Sequence, residues 1–219
     1  MKAINLIEKA LASTAEDETR ELLSNFLRAN TIAKIEKFDL SKYASKNEMQ
    51  ANLTGIYHDN GFRVATSGNI LCAVENPYPA EYEGKIITPK GQIIDAQFPT
   101  WKSVIPQEEE ILYFRFPMSV DYYLQKIKEE QVIAKITGGD VFVKICHAES
   151  SVFLDVKTFV LFLNFFKNFR RAKIGIKFYD KYSYIIAKDD RGNLCLLVCI
   201  IPPDNPDYLI EIKTNNYQF

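Results

Sequence analysis

The sequence predicts an α+β fold made of repeated units, each with one helix followed by antiparallel strands. The clearest unit lies towards the C-terminus, where apolar residues recur at helical spacing from Val156 to Phe166 behind the N-cap residue Asp155. Three β-rich runs follow, at 173–179, 183–188 and 194–201, and turn-forming sequences separate them. The predicted repeat unit is therefore a helix followed by an antiparallel meander.

An earlier unit lies between residues 45 and 74. Its predicted elements are a helix and three strands, at 45–53, 55–58, 62–66 and 69–74. The turn between the first two strands reads Asp59-Asn60-Gly61, in which Asn and Gly tolerate a positive φ. The two units end alike, with Asn-Ile-Leu-Cys at 69–72 and Asn-Leu-Cys-Leu at 193–196, and this similarity supports a repeat.

A middle unit covers residues 111–147. It is predicted to contain a strand at 111–116, a helix from Ser119 to about Glu130, and strands at 132–137 and 141–147 joined by a Gly138-Gly139 hairpin turn. Before this unit, five prolines occur between positions 77 and 106. That stretch is predicted to be an extended connection with one hairpin at Lys90-Gly91.

These units divide the chain into five predicted segments. The first carries apolar residues at helical spacing and is expected to form N-terminal helices. The segments are N-terminal helices at 1–30, a half domain at 31–98, a linker at 99–107, a second domain at 108–202 and a C-terminal tail at 203–219.

The composition of the chain limits the classes of protein to which it could belong. The 219 residues include 27 Lys and Arg against 28 Asp and Glu, so the net charge is -1 and unaided coating of nucleic acid is not expected, although a local basic face remains open. The longest apolar runs, 159–163 and 194–201, are far shorter than the ~20 residues that cross a bilayer. We expect no membrane association and, with no secretory leader at the start, a cytoplasmic location.

The residues offer little catalytic chemistry. The two histidines, His58 and His147, lack neighbours at metal-ligand spacing, and the sequence has neither a Gly-rich phosphate loop nor a serine elbow. The four cysteines have apolar neighbours and no CxxC pair, so buried thiols are expected. We expect no enzyme, no metal and no cofactor. An enzyme that acts on nucleic acid stays a third hypothesis, and it requires a clustered acidic or histidine site.

Two short segments point to binding. Residues 64–71 place a Ser-Gly turn between two strands, which puts hydroxyls and backbone groups at the rim of a sheet. Residues 98–106 hold Trp101, the single Trp, between two prolines that stiffen the backbone. Two interpretations of this aromatic linker stay open: it is a docking site for a partner, or Phe98 and Trp101 pin the linker to a domain.

The same segments resemble a known family, the bacterial sliding clamp, which is the β subunit of the replicative DNA polymerase. A strand-turn-strand A-T-D-G-H-R-L of that family resembles residues 65–71, and its linker F-P-D-Y-x-x-V-[IL]-P resembles residues 98–106. Its terminal V-x-M-P resembles residues 199–202. Asn69 and Ile70 stand where the family has His-Arg, which removes two polar groups from the edge of its pocket.

The resemblance implies a site and partners. In clamps, these three pieces form a hydrophobic pocket that accepts peptide tails of polymerases and repair proteins. Matched position by position, the pocket residues are Thr66, Gly68, Leu71, Pro99, Val104, Cys199 and Ile201. If DNA is encircled, the residues expected to face it are Lys42, Lys46, Lys126, Lys128, Lys167, Arg170 and Arg171. Solvated surface is the other interpretation of these cations.

The resemblance also implies a function. It suggests a non-enzymatic replication or repair accessory protein of processivity-factor type, from a bacterium, a phage or a mobile element. Only about 25 residues separate the two main motifs, too few for the second half of a clamp domain. A homo-oligomeric ring would then need more copies than the family's dimer. The alternative is a clamp-fold protein-binding module that does not encircle DNA.

Overall fold

Two α-helices and thirteen strands make up the described part of the chain, which is residues 38–169, 171–178, 183–201 and 206–216 of a computed structural model. The helices are α1, Val120–Thr137, and α2, Val156–Asn168. The strands are β1 Ile56–Asp59, β2 Phe62–Thr66, β3 Ile70–Glu75, β4 Ile86–Ile87, β5 Ile93–Ile94, β6 Leu112–Arg115, β7 Val141–His147, β8 Ser150–Asp155, β9 Lys173–Lys177, β10 Tyr184–Lys188, β11 Leu194–Val198, β12 Tyr208–Lys213 and β13 Asn215–Asn216.

The strands form two sheets. The larger is antiparallel throughout and has the order β13, β6, β9, β10, β11, β3, β2, β1, β4, β5. The smaller has the order β12, β7, β8, and its β12–β7 pair is parallel. Five short 3-10 turns complete the elements, at Leu40–Tyr43, Glu48–Leu53, Ala80–Tyr82, Trp101–Val104 and Glu108–Glu110. The predicted α+β class, with helices and antiparallel meanders, is confirmed.

The first and last units are joined by the antiparallel pairing of β3 with β11, which we call the β3–β11 seam. Its register places Leu71 opposite Leu196. Asn193 helps to fix this register, because its side-chain oxygen accepts a 2.6 Å hydrogen bond from the backbone N–H of Glu75 while its amide nitrogen donates to Asp189. Asn193 is fully buried, so both bonds are shielded from water.

Helix α2 carries the central part of the core. It begins where predicted, since the Asp155 carboxylate accepts a 2.9 Å hydrogen bond from the backbone N–H of Thr158 and caps the helix. The helix is strongly apolar because it packs over both sheets, against β7, β8 and β11. Its side chains without exposed surface are Phe159, Phe162, Leu163 and Phe165.

The strand predicted at 132–137 is wrong. Helix α1 continues through this segment to Thr137, and Gly138 ends it at φ 83°, where its N–H bonds to the Ala134 carbonyl at 2.8 Å. Two β-branched residues, Val132 and Ile133, gave the run its strand character, but helical spacing of the buried side chains decides its conformation. The pair Gly138-Gly139 is therefore a helix end and not a hairpin turn.

The middle unit forms its hairpin one strand later than predicted. β7 pairs with β8, and the intervening turn contains Ala148 at φ 51°. β8 was missed because it runs directly into α2, with Asp155 as both its last residue and the helix cap. Gly139 instead makes room for the C-terminal strand, because a Cβ there would lie 2.8 Å from the Tyr208 ring.

The first unit matches its prediction in the strands but not in the helix. β1, β2 and β3 follow the expected order, and the β1–β2 turn has positive φ at Asn60 and Gly61. The predicted hairpin around Lys90-Gly91 is present as the β4–β5 pair. The helix predicted at 45–53 is a 3-10 turn over Glu48–Leu53, which Asn47 caps.

The segment predicted as a C-terminal tail contributes to both sheets. β12 adds to β7, and two residues later β13 pairs with β6 in the larger sheet. Ile210 and Ile212 of β12 are buried, whereas Leu209 between them is 41% exposed. The five-segment division stays a prediction, and its first segment, residues 1–30, lies outside the described part.

Replacing the buried residues of β12 will destabilise the fold. Ile210→Ala and Ile212→Ala should each lower the free energy of unfolding by about 2–4 kcal/mol, because each leaves a cavity in the core. Leu209→Ala is the matched control and should cost less than about 1 kcal/mol. Urea denaturation followed by circular dichroism measures both. Equal, small effects for the three variants would contradict a structural role for β12.

Candidate partner-binding site

The predicted linker is packed onto the larger sheet. Phe98 and Trp101 are buried together with Leu71 of β3 and Leu196 of β11, and we call these four residues the linker cluster. The core that Phe98 and Trp101 join therefore extends across the seam, where Leu71 and Leu196 face each other. Pinning of the linker, one of the two interpretations of the sequence, is confirmed.

Polar contacts fix the orientation of the Trp101 ring. Its indole N–H donates a 2.8 Å hydrogen bond to an Asp59 carboxylate oxygen, and the Lys102 ammonium lies 2.9 Å from the same oxygen. The Lys102 ammonium also lies 5.3 Å from the ring centroid, within range of a cation–π contact. Nearby, Tyr57 stacks on Phe98 with the ring centroids 4.7 Å apart. The linker therefore has one defined conformation against β1.

The Asp59 carboxylate is held in its charged form. Partial burial acts to raise the pKa of Asp59, but hydrogen bonds from Lys102 and Trp101 outweigh it, and the pKa lies below its ordinary value of 3.8. At neutral pH the site therefore carries a fixed carboxylate that is paired with a cation. This charge anchors the linker.

The Ser-Gly turn between β2 and β3 lies beside the end of β11. The Thr66 hydroxyl donates a 2.8 Å hydrogen bond to the Ile70 carbonyl and accepts a 3.1 Å bond from the Gly68 N–H. Gly68 has φ 93°, which favours glycine. The Asn69 carbonyl accepts a 2.9 Å bond from the N–H of Val198, the last residue of β11. The turn is thus tied to the strand that precedes the third motif.

The predicted pocket residues lie on the Ser-Gly turn, on β3, in the linker and just after β11, and they differ in exposure. Thr66 and Leu71 are buried, Gly68 and Pro99 are exposed, and Cys199 is half-buried. Val104 is 45% exposed and Ile201 is 87% exposed, so these two side chains offer aliphatic surface. In the third motif, the N–H of Ile200 donates to the Phe153 carbonyl of β8, and Pro202 lies outside the described residues.

Three residues that the sequence reasoning missed pack against the larger core that contains the linker cluster. They are Ile105, Tyr184 and Val198, and each is partly buried. The alternation of side chains along β11 could have identified Val198, because Leu194, Leu196 and Val198 lie on the same face of the strand. Cys199 continues the ladder with a 2.8 Å hydrogen bond from its N–H to the Ser183 carbonyl. The pleat therefore directs Cys199 to the opposite face from Leu196.

A groove borders the linker on its β1 side. It has a volume of about 300 Å³, and its wall includes the stacked pair Tyr57 and Phe98 and the charged pair Asp59 and Lys102. The rest of the lining comes from Gly84 and from linker residues 96, 97, 99, 100 and 101. The groove is open to solvent and contains both apolar and charged groups, so it suits an extended peptide better than a small apolar ligand.

The cations expected to face DNA lie on several elements. Lys42, Lys46, Lys128 and Arg171 are exposed, Lys126 is half-buried, and Arg170 is outside the described residues. Lys126 and Lys128 are two positions apart on α1, so they point to different sides of the helix. The Lys167 ammonium lies 2.5 Å from an Asp121 carboxylate oxygen, so an acidic neighbour offsets its charge.

The contacts of the two histidines indicate structural roles. His58 is buried between Tyr78 and Tyr82, its Nδ1 lies 3.3 Å from the Lys85 carbonyl, and burial lowers the pKa of His58. His147 Nδ1 lies 2.8 Å from the Thr214 hydroxyl. In the described ranges, no three His, Cys, Asp or Glu side chains are grouped to hold a metal ion, and no helix is long and apolar enough to span a bilayer.

Comparison with solved structures identifies the fold. The chain superposes on the DNA polymerase sliding clamp of Caulobacter crescentus with a TM-score of 0.56 at 15% identity, over 79% of this chain and 64% of that one. The sliding clamp (DNA polymerase III subunit beta) of Bartonella birtlesii bound to griselimycin gives 0.54 at 14% identity, over 80% and 65%. The beta subunit of Thermotoga maritima gives 0.51 at 18% identity, over 80% and 64%.

The described chain therefore has the sliding-clamp fold, as the resemblance implied. It spans about 65% of the length of the clamps that it matches. No protein-family model and no curated protein sequence matches it. At 10–18% identity the structural likeness establishes the fold alone.

Neutralising Asp59 will destabilise the linker in a pH-dependent way. Asp59→Asn should lower the free energy of unfolding at pH 7 by about 1 kcal/mol, because it removes charged hydrogen bonds to Trp101 and Lys102. The folded-state pKa is lowered, so this stability is present above pH 3.8 and is lost as the pH falls through the folded value. The two proteins should therefore converge in acid.

Urea denaturation followed by Trp101 fluorescence at a series of pH values measures this difference. Asp95→Asn is the matched control, since Asp95 is an exposed carboxylate of the same connection. It should change stability by less than about 0.5 kcal/mol. A difference between wild type and Asp59→Asn that stays constant down to pH 2 would contradict this role.

Proposed function

We propose that this chain is a sliding-clamp-like accessory protein of DNA replication or repair, and that it binds partner peptides at the positions matched to the clamp pocket, which are Thr66, Gly68, Leu71, Pro99, Val104, Cys199 and Ile201. One observation carries the proposal. Phe98 and Trp101 of the linker share a buried core with Leu71, the last residue of the first motif, and the N–H of Val198, which directly precedes the third motif, donates to the Asn69 carbonyl of the turn. These contacts link the first two motifs and the strand that leads into the third within a clamp-fold sheet, which supports the proposal.

The chemistry of the region suits a short peptide with apolar anchors. Val104 and Ile201 supply exposed aliphatic surface at the sequence positions matched to the pocket, and the buried linker cluster holds in place the linker that carries Val104. The Gly68 turn and the linker supply backbone groups for hydrogen bonds. Burying a few anchors on such a preformed surface gives micromolar affinity, equivalent to ~8 kcal/mol. This range is typical of exchangeable partners.

DNA binding is the second part of the proposal. The exposed lysines of α1 and of the segment before β1, with Arg171 after α2, would contact phosphates if copies of the chain surround a duplex. The net charge of -1 restricts such contact to a local face. The alternative function is a protein-binding module with the clamp fold that does not encircle DNA. The ion pair of Lys167 with Asp121 favours this alternative, because it reduces the charge offered to phosphate.

Griselimycin is bound in the Bartonella clamp structure, and we propose it as a probe of the peptide site of this chain. We expect the wild-type chain to bind it, and Ile201→Asp to weaken binding at least about tenfold, because a carboxylate would be desolvated against an apolar ligand. Isothermal titration calorimetry measures the affinity. Ile201 is 87% exposed, so the substitution leaves the core intact.

Ile136→Asp is the matched control for this test. Ile136 is 81% exposed and lies on α1, whereas the site is built from β3, β11 and the linker. Its affinity for griselimycin should equal that of the wild type. If Ile201→Asp and Ile136→Asp bind as tightly as the wild type, or if the wild type does not bind, the proposed site is wrong for this ligand.

DNA contact predicts a strong dependence on salt. The logarithm of the association constant for a fluorescent duplex should fall linearly with the logarithm of salt concentration, and Lys128→Glu should reduce that slope by about 1. Fluorescence anisotropy measures the slope. Lys90→Glu, in the β4–β5 hairpin, is the control and should leave it unchanged. Griselimycin binding without any DNA binding would select the protein-binding module.

A further inference from the structure

Two cysteines lie opposite each other in the β3–β11 seam. Cys72 of β3 and Cys195 of β11 are direct partners in the antiparallel register, so their side chains lie side by side on one face of the sheet. Both side chains are fully buried, on the face of the sheet opposite to Leu71 and Leu196. The sequence predicted buried thiols but gave no sign that two of them meet.

The hydrogen-bond pattern of the seam fixes the spacing of this pair. The N–H of Val198 donates to the carbonyl of Asn69, so these two residues form a hydrogen-bonded pair. Pairs alternate along an antiparallel ladder, and Cys72 with Cys195 is three pairs further on, at a non-hydrogen-bonded position. Cα atoms at such positions are about 4.5 Å apart, within the range of ~4.4–6.8 Å that a disulfide spans.

We propose that Cys72 and Cys195 form a reversible disulfide that locks the β3–β11 seam under oxidising conditions. One thiol attacks hydrogen peroxide to give a sulfenic acid and one water, and the second thiol displaces the hydroxyl as another water. The balance is two thiols and one peroxide to one disulfide and two waters. Dithiothreitol or another dithiol reverses the step by exchange.

The burial of the two thiols determines how fast the disulfide forms. Burial and the neighbouring thiol raise the pKa of Cys72, so little thiolate is present at neutral pH. The oxidant reaches the pair only when the seam opens locally, which makes the disulfide a slow response to sustained oxidation. Once formed, it joins β3 to β11 behind Leu71 and Leu196. The inference does not depend on the proposed partner binding.

Mass spectrometry of the peroxide-treated protein tests the proposal. The reduced chain is incubated with hydrogen peroxide, denatured and alkylated, and we expect a peptide containing Cys72 disulfide-linked to one containing Cys195. The disulfide should also slow amide exchange in β3 and β11 by about thirtyfold or more, because it closes a long loop across the seam. Treatment with dithiothreitol should restore the original exchange.

Two sets of variants separate this pair from the other thiols. Cys146→Ala/Cys199→Ala keeps only Cys72 and Cys195, and it should lose both alkylatable thiols on oxidation. Cys72→Ala and Cys195→Ala should each show no slowing of exchange. If Cys72 and Cys195 of the wild type remain alkylatable after prolonged treatment with peroxide, or are oxidised separately to sulfinic acids, the proposal is overturned. The wild-type result decides this even where a variant fails to fold.

Discussion

The pairing of β3 with β11 is the interaction on which the rest of this structure depends. It joins strands that are far apart in the sequence into one ten-stranded sheet, and it places Leu71 against Leu196. Phe98 and Trp101 of the linker join the core that extends across that junction, with Trp101 held by Asp59, and helix α2 packs against β11. Without this pairing, the Ser-Gly turn would not be bonded to the end of β11. The candidate site therefore depends on the seam and not on any one segment.

Local patterns predicted much of the fold. The Asp155 cap, the apolar stripe of α2 and the β1–β2 turn at Asn60 and Gly61 each depend on neighbours within a few residues, and each is present. The errors came where local preference and tertiary packing disagree. Val132 and Ile133 favour a strand by composition, but burial of α1 against the smaller sheet and α2 makes the segment helical.

The site was predictable at the level of segments but not of side chains. Matching short motifs indicated three segments, whereas exposure and facing depend on the pleat and on how the linker crosses the sheet. Val198 and Ile105 pack against the core that contains the linker cluster, although their neighbours Cys199 and Val104 were the matched positions. A shift of one residue reverses the face of a strand, so motif matching alone does not determine which of two neighbours points inward.

The C-terminal strand has a consequence for the kinetics of folding. β12 runs parallel to β7, and Tyr208 pairs with Val141 across a long stretch of intervening chain. Parallel pairing between distant segments incurs the entropy of closing a large loop before its contacts form, which slows folding. Until β12 arrives, the edge of β7 is uncovered, and an uncovered edge can pair with another chain. Besides burying Ile210 and Ile212, β12 thus shields the backbone edge of β7 from pairing with a second chain.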